Sequence, residues 1–363
     1  MRRAVFISMF LLMSQGVIGQ RDSSDVRFDV SFNYFYSFIL TGRTSLQPFK
    51  QNHPQLVQLD LGIINHSQKS WAYCNCFSRN GVSFSYIDFE NSNQLGHAFA
   101  ISAFAEPLLI SSRRFTVSLR ASAGFAFLNK VYDSIANPEN IFFSSKLSYL
   151  LAVGANASYQ VGEHFRLRVA AQVNHISNGG KRDPNEGMNF PGVGIGMSYA
   201  FDQQKLDQRT RERFDGKSWY LIAHAFGSQR TAQANLNWPE EVRGLGGVNV
   251  GVVRRTSRIN GIGGGGEIYY DGINSVFQQQ SRRTIQTVVS GLSIQHYLFF
   301  GKLLFGQQFA WYITPNTGYR QSIYQRYFLE YELIENWYAG VSLKAHADHS
   351  DYLAFSVGRK IKL

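Results

Sequence analysis

In segment after segment of this 363-residue chain, apolar and polar residues alternate with a period of two. That period puts successive side chains on opposite faces of a β-strand, so each segment has one apolar and one polar face. Residues 115–127 are the cleanest case. Phe, Val, Leu, Ala, Ala, Phe and Phe at odd positions oppose Thr, Ser, Arg, Ser, Gly and Ala at even ones. The same texture predicts strands over 27–40, 55–63, 81–89, 97–104, 146–160, 164–177 and 191–201. After a polar, charge-dense connector at 202–217 it resumes over 219–227, 247–258, 261–270, 284–300, 303–313, 324–334, 337–346 and 352–362.

About sixteen strands of roughly nine to fifteen residues are too long for a typical sandwich, but tilted strands of that length span a bilayer. Arg120, Arg168 and Lys344 fall mid-strand on the polar face, which suits a hydrated lumen better than a dry core. Residues 1–19 read as a secretory signal. Arg2 and Arg3 precede an apolar run from Ala4 to Met13, and the small Val17 and Gly19 permit cleavage before Gln20. No later apolar run is long enough for a spanning helix. Charged residues make up 17% of the chain, below the ~25% usual for soluble domains. The expected fold is therefore all-β, an antiparallel outer-membrane transmembrane β-barrel with an eight-stranded N-terminal half at 20–201. A second antiparallel β region at 218–363 would lie in the same or an adjoining barrel. A soluble double β-domain is the bland alternative.

The net charge of +11 in an exported chain points to anionic surface partners such as phosphorylated glycolipid, and the export signal disfavours nucleic acid. Cys74 and Cys76 form a lone CxC. A disulfide across one residue is strained and two ligands are too few for zinc, so two ordinary thiols are expected and no metal or cofactor is implied. His346 to Asp351 reads as solvated side chains in a polar turn. Gly261 to Gly266 lacks the strand-to-helix context of a phosphate loop and suits barrel curvature instead.

The stretch from His164 to Asn189 carries the chemistry. Phe165, Leu167, Val169, Ala171 and Val173 make its apolar face, and His175 and Ser177 continue that face side by side. A histidine and a serine so placed can form a base–nucleophile pair. By itself an HxS at a strand end is far more often structural. In a barrel, however, the apolar face meets lipid, so the pair is aimed at lipid. If the first strand rises from the periplasm, so does the seventh, and the loop from Asn178 to Met188 is extracellular.

The run from His175 to Asn189 resembles the lipid A 3-O-deacylase (PagL) family and its acyloxyacyl hydrolase-like relatives. His175, Ser177, Asn178, Gly180, Pro184, Asn185 and Gly187 meet its H-x-S-N-x-G and P-N-x-G pattern. Upstream, Asn137 to Asn140 and Ser144 to Leu147 also look like family segments, so the resemblance covers about 27–201. The C-terminal half, including Tyr324 to Arg326 and Lys344 to His346, is similar to that of longer members from Bacteroidetes-type bacteria. The resemblance implies a Gram-negative outer-membrane esterase that removes an ester-linked acyl chain from the lipid A of lipopolysaccharide. Ser177 would attack the ester carbonyl with His175 as base. Asn178, Gly179, Gly180 and Asn185 are the candidates for oxyanion stabilisation or positioning, and Lys181 and Arg182 for lipid A phosphates. One position departs from the family. Its third catalytic member is a glutamate fourteen residues after the histidine, and here Asn189 stands there. Asn189 would orient His175, with Glu186 the alternative third member and Asp183 the poorest fit. That departure keeps a second reading open, a non-catalytic channel, adhesin or structural barrel; a phospholipase-type barrel is a third.

Overall fold

The computed structural model describes residues 26–41, 44–112, 114–182, 184–202, 209–211, 213–214, 216, 218–232, 237–319, 321–346 and 349–363. The segment expected to be an export signal and most of the connector lie outside them. The chain folds into two closed antiparallel barrels of eight strands each. The first contains β1 (Val26–Ser37), β2 (Gln55–Asn65), β3 (Ser78–Asn91), β4 (Gly96–Ser111), β5 (Phe115–Leu128), β6 (Leu147–Gln160), β7 (Phe165–Ser177) and β8 (Met188–Ala200). The second contains β9 (Trp219–Ala232), β10 (Glu241–Arg255), β11 (Asn260–Asp271), β12 (Val288–Phe300), β13 (Leu303–Tyr312), β14 (Ile323–Ile334), β15 (Trp337–His346) and β16 (His349–Lys362). In each barrel consecutive strands pair, and β1 with β8 or β9 with β16 close the ring, so no sheet edge is left open.

The alternation acts as expected. On β7 the polar Arg166, Arg168, Gln172 and Asn174 point inward and are buried, while Phe165, Leu167, Val169 and Val173 stay exposed outside. Phe28, Phe32, Ile195, Val250, Leu292 and Phe355 repeat this around both barrels. So much outward apolar surface belongs in lipid rather than water. Among the described residues no helix is long and apolar enough to cross a membrane.

Eight strands enclose an interior only wide enough for side chains. In the lower part of the first barrel, Arg79 pairs with Asp29 and Glu106, Arg120 with Asp60, and Arg168 with Glu106. Arg120 and Arg168 therefore fill the lumen in ion pairs, which corrects the expectation that they line a hydrated one. The upper end, where β7 finishes, is instead plugged by apolar side chains including Phe89, Phe142, Ile176, Met188 and Phe190.

The barrels touch each other at both ends. Below, Arg258 donates to the carbonyl of Ala72, in a short helix, α1 (Gln68–Cys74), that joins β2 to β3. Above, the N–H of Leu353 on β16 donates to Gly179 just beyond β7 (3.0 Å). Cys74 and Cys76 form a disulfide, correcting the expectation of free thiols. Asn75 between them ends α1 in the left-handed conformation (φ 54°), turning the chain so that their Cα atoms approach to 5.1 Å. A 3-10 turn at Thr44–Gln51 and a helix at Ile273–Ser281, α2, also escape the period-two reading.

Candidate active site

Strand pairing assembles the site. On the outer face His175 of β7 sits opposite Asn189 of β8 and Leu151 of β6, and Ser177 sits opposite Tyr149 of β6. Residues i and i+2 of a strand share a face, which brings Ser177 beside His175. His175 Nε2 lies 2.9 Å from Ser177 Oγ, and its Nδ1 lies 2.8 Å from Asn189 Oδ1. Because Asn189 offers a carbonyl oxygen, His175 Nδ1 carries the proton, leaving the Nε2 lone pair to accept from the serine hydroxyl. The Asn189 carbonyl accepts from the N–H of Leu40 (2.8 Å), which pins the asparagine's backbone.

A roof of loops makes this outward pair more than a surface patch. Ser177 is buried although it faces out, and His175 is half-buried. Gly187, in the left-handed region (φ 65°), lies so close that a Cβ there would meet the His175 ring at 2.9 Å and Ser177 Cβ at 3.1 Å. Only glycine combines that backbone with that clearance. The N–H groups of Glu186 and Gly187 donate to Ile141 and Phe142, tying loop 178–187 to loop 129–146. Asn137 and Asn140 brace the latter through the Gln94 carbonyl, and Ser144 donates to the Arg182 carbonyl. Ile141, Phe142 and Ser144 thus meet the site loop directly, and Asn137 and Asn140 brace them from behind.

The other candidates separate by role. The Asn178 side chain donates to Ser144 and to the Arg182 carbonyl and accepts from the Lys181 N–H; its own N–H goes to Asn185 Oδ1 (2.9 Å). Asn178 and Asn185 therefore hold the loop in shape, and the side-chain donor of Asn178 is committed there rather than pointed at an oxyanion. The N–H groups of Gly179 and Gly180 have no partner among the described residues. The Glu186 N–H is spent on the Ile141 carbonyl, and Asn189 holds the position on Nδ1. Asp183 lies outside the described residues. Lys181 and Arg182 are exposed on the rim, the Lys181 ammonium 4.9 Å from the Tyr149 ring centre.

One step below the pair an open apolar groove runs down the outer wall, lined by Phe38, Val153, Ala171, Val173, Pro191 and Val193. Val173 precedes His175 by two residues on the same face and pairs with Pro191, so the groove starts one rung from the histidine and two from the serine. The period-two reading puts Val153, Val173 and Val193 on apolar strand faces, and Phe38, just past β1, joins them only because β8 closes onto the first strand. No cluster of three or more acidic, histidine or cysteine side chains able to hold a metal occurs among the described residues. His346 and Asp351 lie 3.0 Å apart inside the second barrel, so they are not the solvated turn side chains expected.

Two family models match the chain in tandem. Lipid A 3-O-deacylase (PagL) matches residues 55–198, and the acyloxyacyl hydrolase C-terminal domain matches 218–363. No curated protein matches. Among solved structures, the crystal structure of the outer membrane enzyme PagL is similar at 15% identity and TM-score 0.34, over 46% of this chain and 97% of that one. A mutant of the Rh. blastica porin is similar at 9% identity and TM-score 0.22, over 93% of this chain and all of that one.

Proposed function

The chain belongs to the lipid A 3-O-deacylase (PagL) family, and from that premise we propose that it is an outer-membrane serine esterase that removes an ester-linked acyl chain from lipid A. The observation that carries the mechanism is the 2.9 Å contact between His175 Nε2 and Ser177 Oγ, with Asn189 on the opposite ring nitrogen. Ser177 Oγ attacks the ester carbonyl as its proton passes to His175 Nε2. The tetrahedral intermediate collapses as His175 returns that proton to the departing sugar hydroxyl, leaving an acyl-enzyme. Water, deprotonated by His175, then hydrolyses the acyl-enzyme and releases the fatty acid.

Asn189 holds the imidazole tautomer and ring orientation but offers no charge to the imidazolium that forms. The free N–H groups of Gly179 and Gly180 supply the oxyanion donors; losing one such donor typically costs about two to three orders of magnitude in rate. The departing acyl chain lies in the groove of Val173 and Pro191, already in the hydrocarbon where it resides before cleavage. Lys181 and Arg182 on the rim sit at headgroup level and meet the lipid A phosphates. With the N-terminus on the periplasmic side, the rim faces the outer leaflet, where lipopolysaccharide lies.

A channel is the less economical reading, because ion pairs and apolar side chains fill the first barrel's interior. Mass spectrometry of lipid A from cells making the parent protein or Ser177→Ala tests the proposal. One acyl chain missing with the parent and present with Ser177→Ala is expected; identical acylation in both contradicts it.

A further inference from the structure

The second barrel reaches the loop that follows Ser177 through β16. Gly179 (φ 68°) and Gly180 (φ 75°) lie directly against β16. A Cβ on Gly180 would sit 2.1 Å from the Asp351 carbonyl oxygen, and one on Gly179 would sit 2.9 Å from Leu353 Cβ and 3.0 Å from the Tyr149 ring. The Leu353 N–H donates to the Gly179 carbonyl at 3.0 Å. Two glycines are thus what lets the nucleophile's loop close onto the neighbouring barrel.

The docking segment of β16 is itself fixed from within. Between Lys344 and Ala345 the register of β15 against β16 shifts, so Lys344 faces Tyr352, Ala345 faces Ser350, and Asp351 is the extra residue of a bulge. Bulges re-aim chain segments and recur beside active sites. The Asp351 carboxylate turns inward, 2.8 Å from Lys344 Nζ and 3.0 Å from His346 Nδ1. The hydroxyl of Tyr352 accepts from Arg326 (2.9 Å), and the Leu353 carbonyl accepts from Ser228 Oγ (2.6 Å). Three consecutive residues are anchored inside the second barrel while their backbone presses on Gly179 and Gly180.

We infer that the second barrel is a positioning element for catalysis: the bulge at Asp351, held by Lys344 and His346, clamps Gly179 and Gly180 and so sets the nucleophile loop. The inference rests on the serine-esterase reading for its catalytic consequence, but the clamp itself is measurable without activity. Positioning matters at this scale, since a misplacement of about 1 Å can cost on the order of a hundredfold in rate.

Loop 178–187 carries Lys181 and Arg182, so trypsin reports whether it is docked. Full-length protein in detergent, checked for intact barrels by its fast migration in unheated SDS gels, is digested and the cuts at Lys181 and Arg182 are followed by peptide mass spectrometry. Asp351→Asn and the milder Ser228→Ala are expected to speed those cuts several-fold. Both should lower kcat on a soluble p-nitrophenyl acyl ester by about tenfold with KM little changed, and Asp351→Glu should move both readouts back toward the parent. Parental cutting rates in the folded variants overturn the clamp. Faster cutting with parental kcat overturns its catalytic role. An inactive parent, or full activity in Ser177→Ala, counts against the esterase reading instead, and the cutting rates still decide the clamp.

Discussion

Both barrels contain histidines held between two polar partners, yet they face opposite ways. In the first, His175 sits on the outer wall with Ser177 and Asn189. In the second, His224 points into the lumen, with Nδ1 3.0 Å from Glu330 and Nε2 3.1 Å from the Tyr297 hydroxyl. By residue type alone, the second set is the better triad, because it has a carboxylate. It is completely enclosed, though, and its ring stacks on Phe328 with centroids 4.0 Å apart. A histidine between two partners is a staple when it faces the lumen and a candidate site when it faces the substrate's own medium. Strand parity decides which.

The interiors differ in the same instructive way. The first barrel keeps its charges low and seals its upper end with apolar side chains beneath the roof loops. The second places an aromatic and aliphatic layer low, around Ile222, Tyr297, Phe299 and Leu304. Its ion pairs of Arg230 with Asp271 and Lys344 with Asp351 lie at the top, while the Glu330 carboxylate sits in the low layer beside His224. The first arrangement gives the outward site a dry, close-packed support; the second supplies rigid anchors at the height where β16 meets loop 178–187.

The comparison breaks most sharply at the two histidines. His175→Ala and Ser177→Ala should each cut the rate of fatty-acid release by roughly three to four orders of magnitude. His224→Gln should leave that rate near parental, and equal losses from both histidines would erase the distinction drawn here. Asn189→Glu sharpens it next. A carboxylate on Nδ1 stabilises the imidazolium, raising kcat about tenfold or more and raising the histidine pKa. Because the base must be neutral, the acidic limb of the pH–kcat profile should move to higher pH; a profile unchanged in height and position shows that Nδ1 does not take its partner from position 189.

Smaller effects follow. Ala171→Trp, filling the apolar groove, should lower kcat/KM about tenfold for long acyl esters and hardly alter it for acetyl or butyryl esters; equal losses on both would remove the groove from substrate binding. Finally, His224→Gln should destabilise the second barrel by about 1–3 kcal/mol, since Glu330 loses its buried partner. The temperature at which fast gel migration is lost measures that, and an unshifted temperature denies His224 its structural part.

The strands were legible because one face of each meets lipid and the other the lumen, and that contrast is local. Residues 115–127 alternate without a break and form β5. Whether sixteen such strands make one ring or two is not local. It depends on β8 pairing back to β1 and β9 to β16, and the period-two pattern is the same either way. That His175 and Ser177 lie side by side could be read from parity, whereas Asn189 was pointed to by the family resemblance and stands opposite His175 across β7 and β8. The work of Asn178 in holding the loop, and the contact of Gly180 with Asp351, arise from chain segments far apart in sequence. The Cys74–Cys76 bond turned on the left-handed Asn75 between them, a conformation residue type alone does not announce.

The central claim is that Ser177 is a nucleophile activated by His175 on the outer wall of the first barrel. A fluorophosphonate ester, which labels activated serines, tests it when applied to the intact protein in detergent and located by peptide mass spectrometry. The account predicts one labelled residue, Ser177, with labelling lost in His175→Ala and retained in His224→Gln. Deacylation that persists while the label is absent or sits on another serine would contradict it.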